Sequence, residues 1–355
     1  MTKFTLGICG SGQLSMMLCQ AAKKLNVKTI VLSNTNEAPA KDYCDELFVC
    51  DYKDKDQIKS FANKIDCATL EFENFDFKTL KLIEKFKPVY PRPEINLVVQ
   101  NRKLEKEFFR KLNVPTTNYT VIKSQEDLKN KETFFPGLLK SITGGYDGHL
   151  SYKFDTKEDI RKYKIDFSKV YILEKKVEIL KEFSVIASRY QNNKINIFEP
   201  FENYHSEQIL RETTVPANIP EKIKNQAINY TKKILIEHDY IGIMSVEFFI
   251  DKDQNLLANE TASRVHNSGH ITINTSNSSQ FDQHIRAVCN LNFIKLEKMK
   301  NGKMINILGE DILKYRKKKF SNNEYFFDYG KKEARSKRKM GHINIVDNIK
   351  LFTDY

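Results

Sequence analysis

The stretch Glu247-Phe248-Phe249-Ile250-Asp251-Lys252-Asp253-Gln254-Asn255-Leu256-Leu257-Ala258-Asn259-Glu260 decides how this chain is read. Two short apolar runs flank a turn-forming segment, the pattern of a β-hairpin. If the hairpin closes symmetrically about Asp253 and Gln254, Glu247 and Glu260 stand opposite each other, with Cβ atoms about 5 Å apart on one face. Two carboxylates so placed repel unless a cation or a shared proton lies between them. Hard oxygen ligands suit Mg²⁺, which keeps several waters and binds together with substrate phosphates. The competing reading is a surface hairpin with two solvated glutamates. Beyond it, Asn259, Arg264, His266, Asn267, Ser268 and His270 crowd polar groups into a few residues. A segment this polar either faces solvent or lines a polar cleft.

The chain has 355 residues, more than one core usually serves, so two or three domains are expected. Its net charge of +12 fits an anionic partner such as a nucleotide or phosphate. The basic runs carry no nucleic-acid motif and read as solvated faces, so no nucleic-acid partner is expected. Cys9, Cys19, Cys44, Cys50, Cys67 and Cys289 form no C-x-x-C pair and mostly sit in apolar runs. They read as small buried hydrophobes in a reducing compartment. No signal peptide opens the chain and no apolar run has membrane-spanning length, so a cytoplasmic protein with no membrane partner is expected.

Towards the N-terminus, residues 4–9 read as a strand, Gly10-Ser11-Gly12 as a turn, 13–25 as a helix and 27–33 as a second strand. This is a β-α-β unit on a parallel sheet. Its dinucleotide fingerprint is incomplete. Ser15 occupies the third glycine position, and the second strand ends in Ser33-Asn34 without an acidic residue, which argues against nicotinamide binding. A helix at 55–64 and strands at 47–50 and 68–72 follow. Glu71-Phe72-Glu73-Asn74 then falls at the carboxyl end of a parallel strand, where such sheets place ligands. Pro88, Pro91 and Pro93 suggest a domain boundary.

The spacing predicts one charged helix over 96–112, then strands at 119–122 and 137–141. Lys140 precedes Thr143-Gly144-Gly145-Tyr146-Asp147-Gly148. A glycine-rich loop beside a strand lysine either folds over phosphates or makes an ordinary hairpin turn, and it is not a Walker A loop. Further strands are predicted at 170–174, 182–188, 194–199, 304–308 and 325–329, and helices at 221–238 and 280–289.

Taken together, these stretches resemble the N5-carboxyaminoimidazole ribonucleotide synthases, ATP-grasp enzymes of bacterial purine synthesis, from about residue 4 to about residue 345. Five motifs in order carry the resemblance: Gly12-Gln13-Leu14; Glu71-Phe72-Glu73-Asn74; Gly144 to Gly148; Glu247-Phe248-Phe249 with Asn259-Glu260-x-Ala262-x-Arg264-x-His266-Asn267-Ser268-Gly269-His270; and Arg338-Lys339-Met340-Gly341-His342. The resemblance implies an α/β fold with an N-terminal parallel α/β pre-ATP-grasp domain (1–95). A central ATP-grasp module of two α+β lobes (96–295) and a small β-rich C-terminal domain (296–355) follow, in a homodimer. It implies a reaction in which ATP phosphorylates bicarbonate to carboxyphosphate, which then carboxylates the exocyclic amine of 5-aminoimidazole ribonucleotide. ADP and phosphate leave.

The resemblance also implies roles. Arg102 and Lys140 neutralise ATP phosphates, and Gly145, Tyr146, Asp147 and Gly148 close over the nucleotide. Glu174, Lys175 and Val177 form the adenine hinge, Glu182 takes the ribose, and His205 and Asn259 add nucleotide contacts. Glu247 and Glu260 hold Mg²⁺. Gln13, Glu73, His266, Asn267, Ser268, Lys331 and Arg338 line the acceptor, the last two on its 5′-phosphate. Tyr146, Asp147, Arg264 and His266 are the catalytic candidates, with His266 steering protons. The chain departs from the family pattern at Ser15-Met16, His149-Leu150-Ser151, Ser263 and Ser336-Lys337. The alternatives are another ATP-grasp carboxylate–amine ligase and a nucleotide-binding relative without catalysis.

Overall fold

A computed structural model describes residues 4–144 and 151–347. The expectations for Gly145, Tyr146, Asp147 and Gly148 lie outside the described residues. Strands β1 (Thr5–Cys9), β2 (Lys28–Ser33), β3 (Glu46–Val49) and β4 (Cys67–Leu70) form a parallel sheet in the order β3-β2-β1-β4. Its strands are apolar on both faces, as a doubly covered parallel sheet requires. Leu6, Ile8 and Val31 pack towards the Gln13–Lys24 and Gln280–Val288 helices. Cys9, Ile30 and Leu32 pack towards Lys55–Asn63 and Phe77–Glu84.

A second sheet is antiparallel, with β5 (Tyr119–Ile122), β6 (Gly137–Ser141), β7 (Ser151–Phe154) and β8 (Tyr171–Lys175) in the order β5-β8-β6-β7. The third has nine strands: β9 (Ile179–Arg189), β10 (Ile195–Ile197), β11 (Phe201–Ser206), β12 (Ile209–Val215), β13 (Gly242–Asp251), β14 (Leu256–Ala262), β15 (Gly302–Leu308), β16 (Glu324–Asp328) and β17 (Lys339–Val346). They run β14-β13-β9-β11-β12-β15-β17-β16, with β10 on β9. The C-terminal strands therefore extend the central sheet, with Thr213 of β12 beside Met304 of β15. The long helix Glu221–Glu237 packs Ile234 and Leu235 against Phe183, Val185, Val246 and Phe248 of this sheet.

The charged run read as one helix is two, Pro93–Val99 and Arg102–Lys111. Asn101 breaks it: its backbone is extended and its side chain accepts from Lys103 N and Leu104 N, an N-cap that periodicity alone does not show. The β11–β12 hairpin was also hidden. Its turn uses Glu207 and Gln208 at φ of 53° and 63°, a conformation for which glycine or asparagine is the usual signal. The six cysteines are free, and four of them are buried. No helix among the described residues is long and apolar enough to cross a membrane.

Gly269 sits where a Cβ would meet Gln280 Oε1 and Ile186 Cδ1, each at 2.5 Å. Gln280 cannot swing aside, because it accepts from His266 N at 2.9 Å and donates to His266 O at 2.7 Å. Gly269→Ala is expected to cost about 1–3 kcal/mol, the usual range for overpacking, measured as a lower urea midpoint at unchanged slope.

Candidate active site

The hairpin brings its carboxylates together by a different route from the symmetric one. Ile250 pairs with Leu256 and Phe248 with Ala258, so the turn centres on Asp253. That register alone sets Asn259 against Glu247. A bulge then absorbs Asn259, and Glu247 pairs with Glu260. Glu247 also accepts from His266, whose Nε2 lies 3.1 Å from its Oε1. Burial raises the Glu247 pKa, but the hydrogen bond from His266 and the basic groups around it, His205 and Lys339 among them, outweigh it and hold the group ionised. Glu260 behaves oppositely: the protein around the cleft and then the Glu247 charge push its pKa up, against Arg102 and Lys140. The Glu260 side chain stays open to water, which moderates the effect.

Two facing carboxylates, one fixed in ionised form and the other discouraged from ionising by its neighbour, fit a divalent cation. Among the described residues no third acidic, histidine or cysteine ligand joins them. That donor set suits Mg²⁺, which completes its shell with water and phosphate oxygens.

A layer of cations lies beside this pair. Arg102 opens its helix and donates through Nη1 to Ser141 O at 3.1 Å, which ties it to the strand that carries Lys140. Lys140 Nζ is 3.1 Å from Glu174 Oε2, and Lys106 Nζ is 3.5 Å from Glu174 Oε1. Lys106 also donates to Thr116 and Thr117. Burial opposes ionisation of Glu174, yet the charges of Lys140 and Lys106 hold its pKa at about 2. The Glu174 carboxylate thus faces inward between two lysines. Glu105, one residue before Lys106, accepts from Thr261 N at 2.6 Å. Its pKa is pushed up to about 8 by burial, with Glu260 adding to the effect. One helix thereby joins Arg102 to the strand carrying Glu260.

Glu73 forms a bidentate pair with Arg264, with Nη2 to Oε1 at 3.0 Å. Burial raises the Glu73 pKa, but Arg264 outweighs it and the net shift is downward. Asn96 holds the Glu73 carbonyl at 2.6 Å. Two residues earlier, Glu71 is buried and accepts from Gly12 N and Ser15 N. A Cβ at Gly12 would lie 2.9 Å from Glu71 Oε1. The helix N-terminus next to Gln13, an anion site in dinucleotide folds, is therefore filled by the protein's own carboxylate.

Lys331 donates to Lys339 O at 2.6 Å. Burial, then the charges of Arg338 and Lys339, depress its pKa to about 8. Arg338 itself donates to Glu333 O. Glu182 and His205 meet at 2.5 Å on adjacent strands. Asn267 exchanges amide hydrogen bonds with Asn306 of β15. The Ser268 hydroxyl is fully buried, 2.7 Å from Ser184 and 2.8 Å from His266. Lys175 is exposed at the end of β8, and the half-buried Val177 follows in the linker to β9. Sequence reasoning passed over Lys106, Glu105, Ser184 and Asn203. The first two look like a solvated helix face, and the others are small polar residues in strands; only their burial reveals them.

A pre-ATP-grasp parallel sheet, a four-stranded lobe and a long antiparallel lobe with paired carboxylates between them define an ATP-grasp enzyme. The chain matches family models for the ribonucleotide synthetase preATP-grasp domain over residues 1–100, the ATP-grasp domain over 107–281 and the phosphoribosylaminoimidazole carboxylase C-terminal domain over 303–350. It is 34% identical to the N5-carboxyaminoimidazole ribonucleotide synthase of Bacillus subtilis over 96% of this chain and 91% of the relative. A crystal structure of an N5-carboxyaminoimidazole ribonucleotide synthetase with ADP superposes with a TM-score of 0.92 at 37% identity, covering 98% of this chain and 94% of the other. The Aspergillus clavatus synthase bound to ADP and 5-aminoimidazole ribonucleotide gives 0.88 at 26%, covering 97% and 94%. The chain belongs to the N5-carboxyaminoimidazole ribonucleotide synthase family.

Glu174 makes a pH prediction. Its folded pKa of about 2 lies below its ordinary 4.5. The group therefore stabilises the fold fully above pH 4.5, and this contribution fades as pH falls towards 2. A shift of this size corresponds to on the order of 3 kcal/mol. Urea unfolding from pH 5 to pH 3 is expected to show a steeper loss of stability in the wild type than in Glu174→Gln.

Proposed function

We propose that this protein carboxylates 5-aminoimidazole ribonucleotide to N5-carboxyaminoimidazole ribonucleotide, consuming ATP and bicarbonate by way of carboxyphosphate and releasing ADP and phosphate. The single observation that carries the reading is the Glu247–Glu260 pair, beside the cations Arg102 and Lys140. The proposal includes Mg²⁺ on the two glutamates, a cytoplasmic setting and a homodimer.

Arg102 and Lys140 neutralise the triphosphate and keep the transferring group in line. Such chemistry depends on positioning and fixed charge more than on any nucleophile. Glu247 and Glu260 would hold Mg²⁺, which would supply positive charge against the phosphates during transfer. Glu182 and His205, held against each other, supply a polar edge for the ribose. Arg264, fixed by Glu73, presents its guanidinium where bicarbonate and the acceptor amine meet. Lys331 and Arg338, whose charges act on each other, suit the 5′-phosphate of the acceptor. Tyr146 and Asp147, in the glycine-rich segment, are proposed to complete the enclosure that keeps carboxyphosphate from water.

The test is ADP release with each ingredient omitted in turn. Turnover is expected only with ATP, bicarbonate, aminoimidazole ribonucleotide and Mg²⁺ all present. Glu260→Gln is expected to abolish it while leaving the circular dichroism spectrum intact. Wild-type turnover in that variant, or ADP release with glycinamide ribonucleotide and formate instead, would reject the reading.

A further inference from the structure

We propose that Ser184, Asn203 and Thr213 are positioning residues that fix the tautomer and aim of His266 through a one-way chain of buried hydrogen bonds. Thr213 Oγ1 donates to Asn203 Oδ1 at 3.1 Å, and Asn203 Nδ2 donates to Ser184 Oγ at 3.1 Å. Ser184 Oγ lies 2.7 Å from Ser268 Oγ, which lies 2.8 Å from His266 Nδ1. The other ring nitrogen, Nε2, is 3.1 Å from Glu247 Oε1. Ser184, Thr213 and Ser268 are fully buried and Asn203 nearly so. Buried polar groups add little net stability over apolar ones of the same shape, so a chain of four asks for a reason.

The two ends set its direction. At the histidine, the Ser268 backbone N–H also points at Nδ1, at 3.4 Å. A backbone N–H only donates, so Nδ1 is the acceptor and the ring hydrogen sits on Nε2, facing Glu247. At the far end, the Asn203 amide donates to Ser184, leaving the Ser184 hydrogen to pass to Ser268 and the Ser268 hydrogen to Nδ1. Reversal makes the Ser184 hydroxyl accept from both Asn203 and Ser268, and its own buried hydrogen then loses the acceptor it has in the forward chain. His266 is then a fixed donor to Glu247 Oε1, and it sets the direction of the remaining carboxylate oxygen. This assigns His266 an orienting task in place of proton steering. Partners that orient a ligand in this way are worth about 10–100-fold in affinity or activity.

The activity part of the proposal rests on the function given above; the tautomer part stands alone. Long-range ¹H–¹⁵N correlation on the full chain with ¹⁵N-labelled histidine reads the tautomer of each of the seven histidines, with His266→Gln assigning the signal. Wild type and Ser184→Thr are expected to show hydrogen on Nε2. Ser184→Ala, and Asn203→Asp, which accepts from Ser184 and lets the chain run backwards, are expected to mix in the Nδ1–H form. In both, kcat is expected to fall about tenfold at unchanged KM for ATP. A purely structural role would lower the melting temperature and leave the tautomer alone. Hydrogen on Nδ1 in the wild type, or a wild-type signal in both folded variants, overturns the proposal. If the wild type itself fails to turn over aminoimidazole ribonucleotide, the functional reading falls and the tautomer result still decides this one.

Discussion

Like charges held face to face by backbone pairing are the constraint from which the rest of this structure follows. The β13–β14 ladder leaves Glu247 and Glu260 no freedom to part, and the bulge at Asn259 makes them partners. Such a pair is unfavourable in a folded protein unless something positive joins it. The surroundings are built to supply that charge. Arg102 and Lys140 bring positive charge to Glu260, and His266 ties one oxygen of Glu247 by a hydrogen bond.

The same economy governs the buried charges nearby. Glu174 is satisfied by two lysines, Glu73 by the two arms of Arg264, and Glu71 by two backbone N–H groups at a helix start. Removing one member of such a set strands its partner, which costs far more than the contact itself contributes. Each pair also bridges segments distant in sequence. Glu73 and Arg264 join the parallel domain to the central module, and Lys106 with Glu174 joins a helix to the small antiparallel sheet. Charge burial here fixes where the lobes meet.

Much of this was legible from the chain. The parallel sheet appeared because its strands are short apolar runs bounded by turns, and β5 and β6 matched their predicted bounds. The glutamate pair was legible for a partly accidental reason. The symmetric turn has the wrong centre, and the bulge restores the pairing by one residue. A bulge at Asn259 leaves no mark in composition. Lys106 was invisible because a lysine four residues from Arg102 looks solvated, and only Glu174, far along the chain, explains its burial. Ser184, Asn203 and Thr213 escaped because small polar residues in strands become informative only when their neighbours are known. The β11–β12 turn was missed because Glu207 and Gln208 adopt a backbone shape that their side chains do not advertise.

The ladder between β12 and β15 joins the strand that carries Glu247 and strand β17 in one sheet, and Lys339 at the start of β17 is near enough for its charge to lower the Glu247 pKa. Lys331 and Arg338 lie in the segment between β16 and β17, and both ends of that segment are anchored in the sheet that carries the carboxylates. The C-terminal strands and the carboxylate hairpin are thereby one hydrogen-bonded unit, so a shift of either is a shift of both.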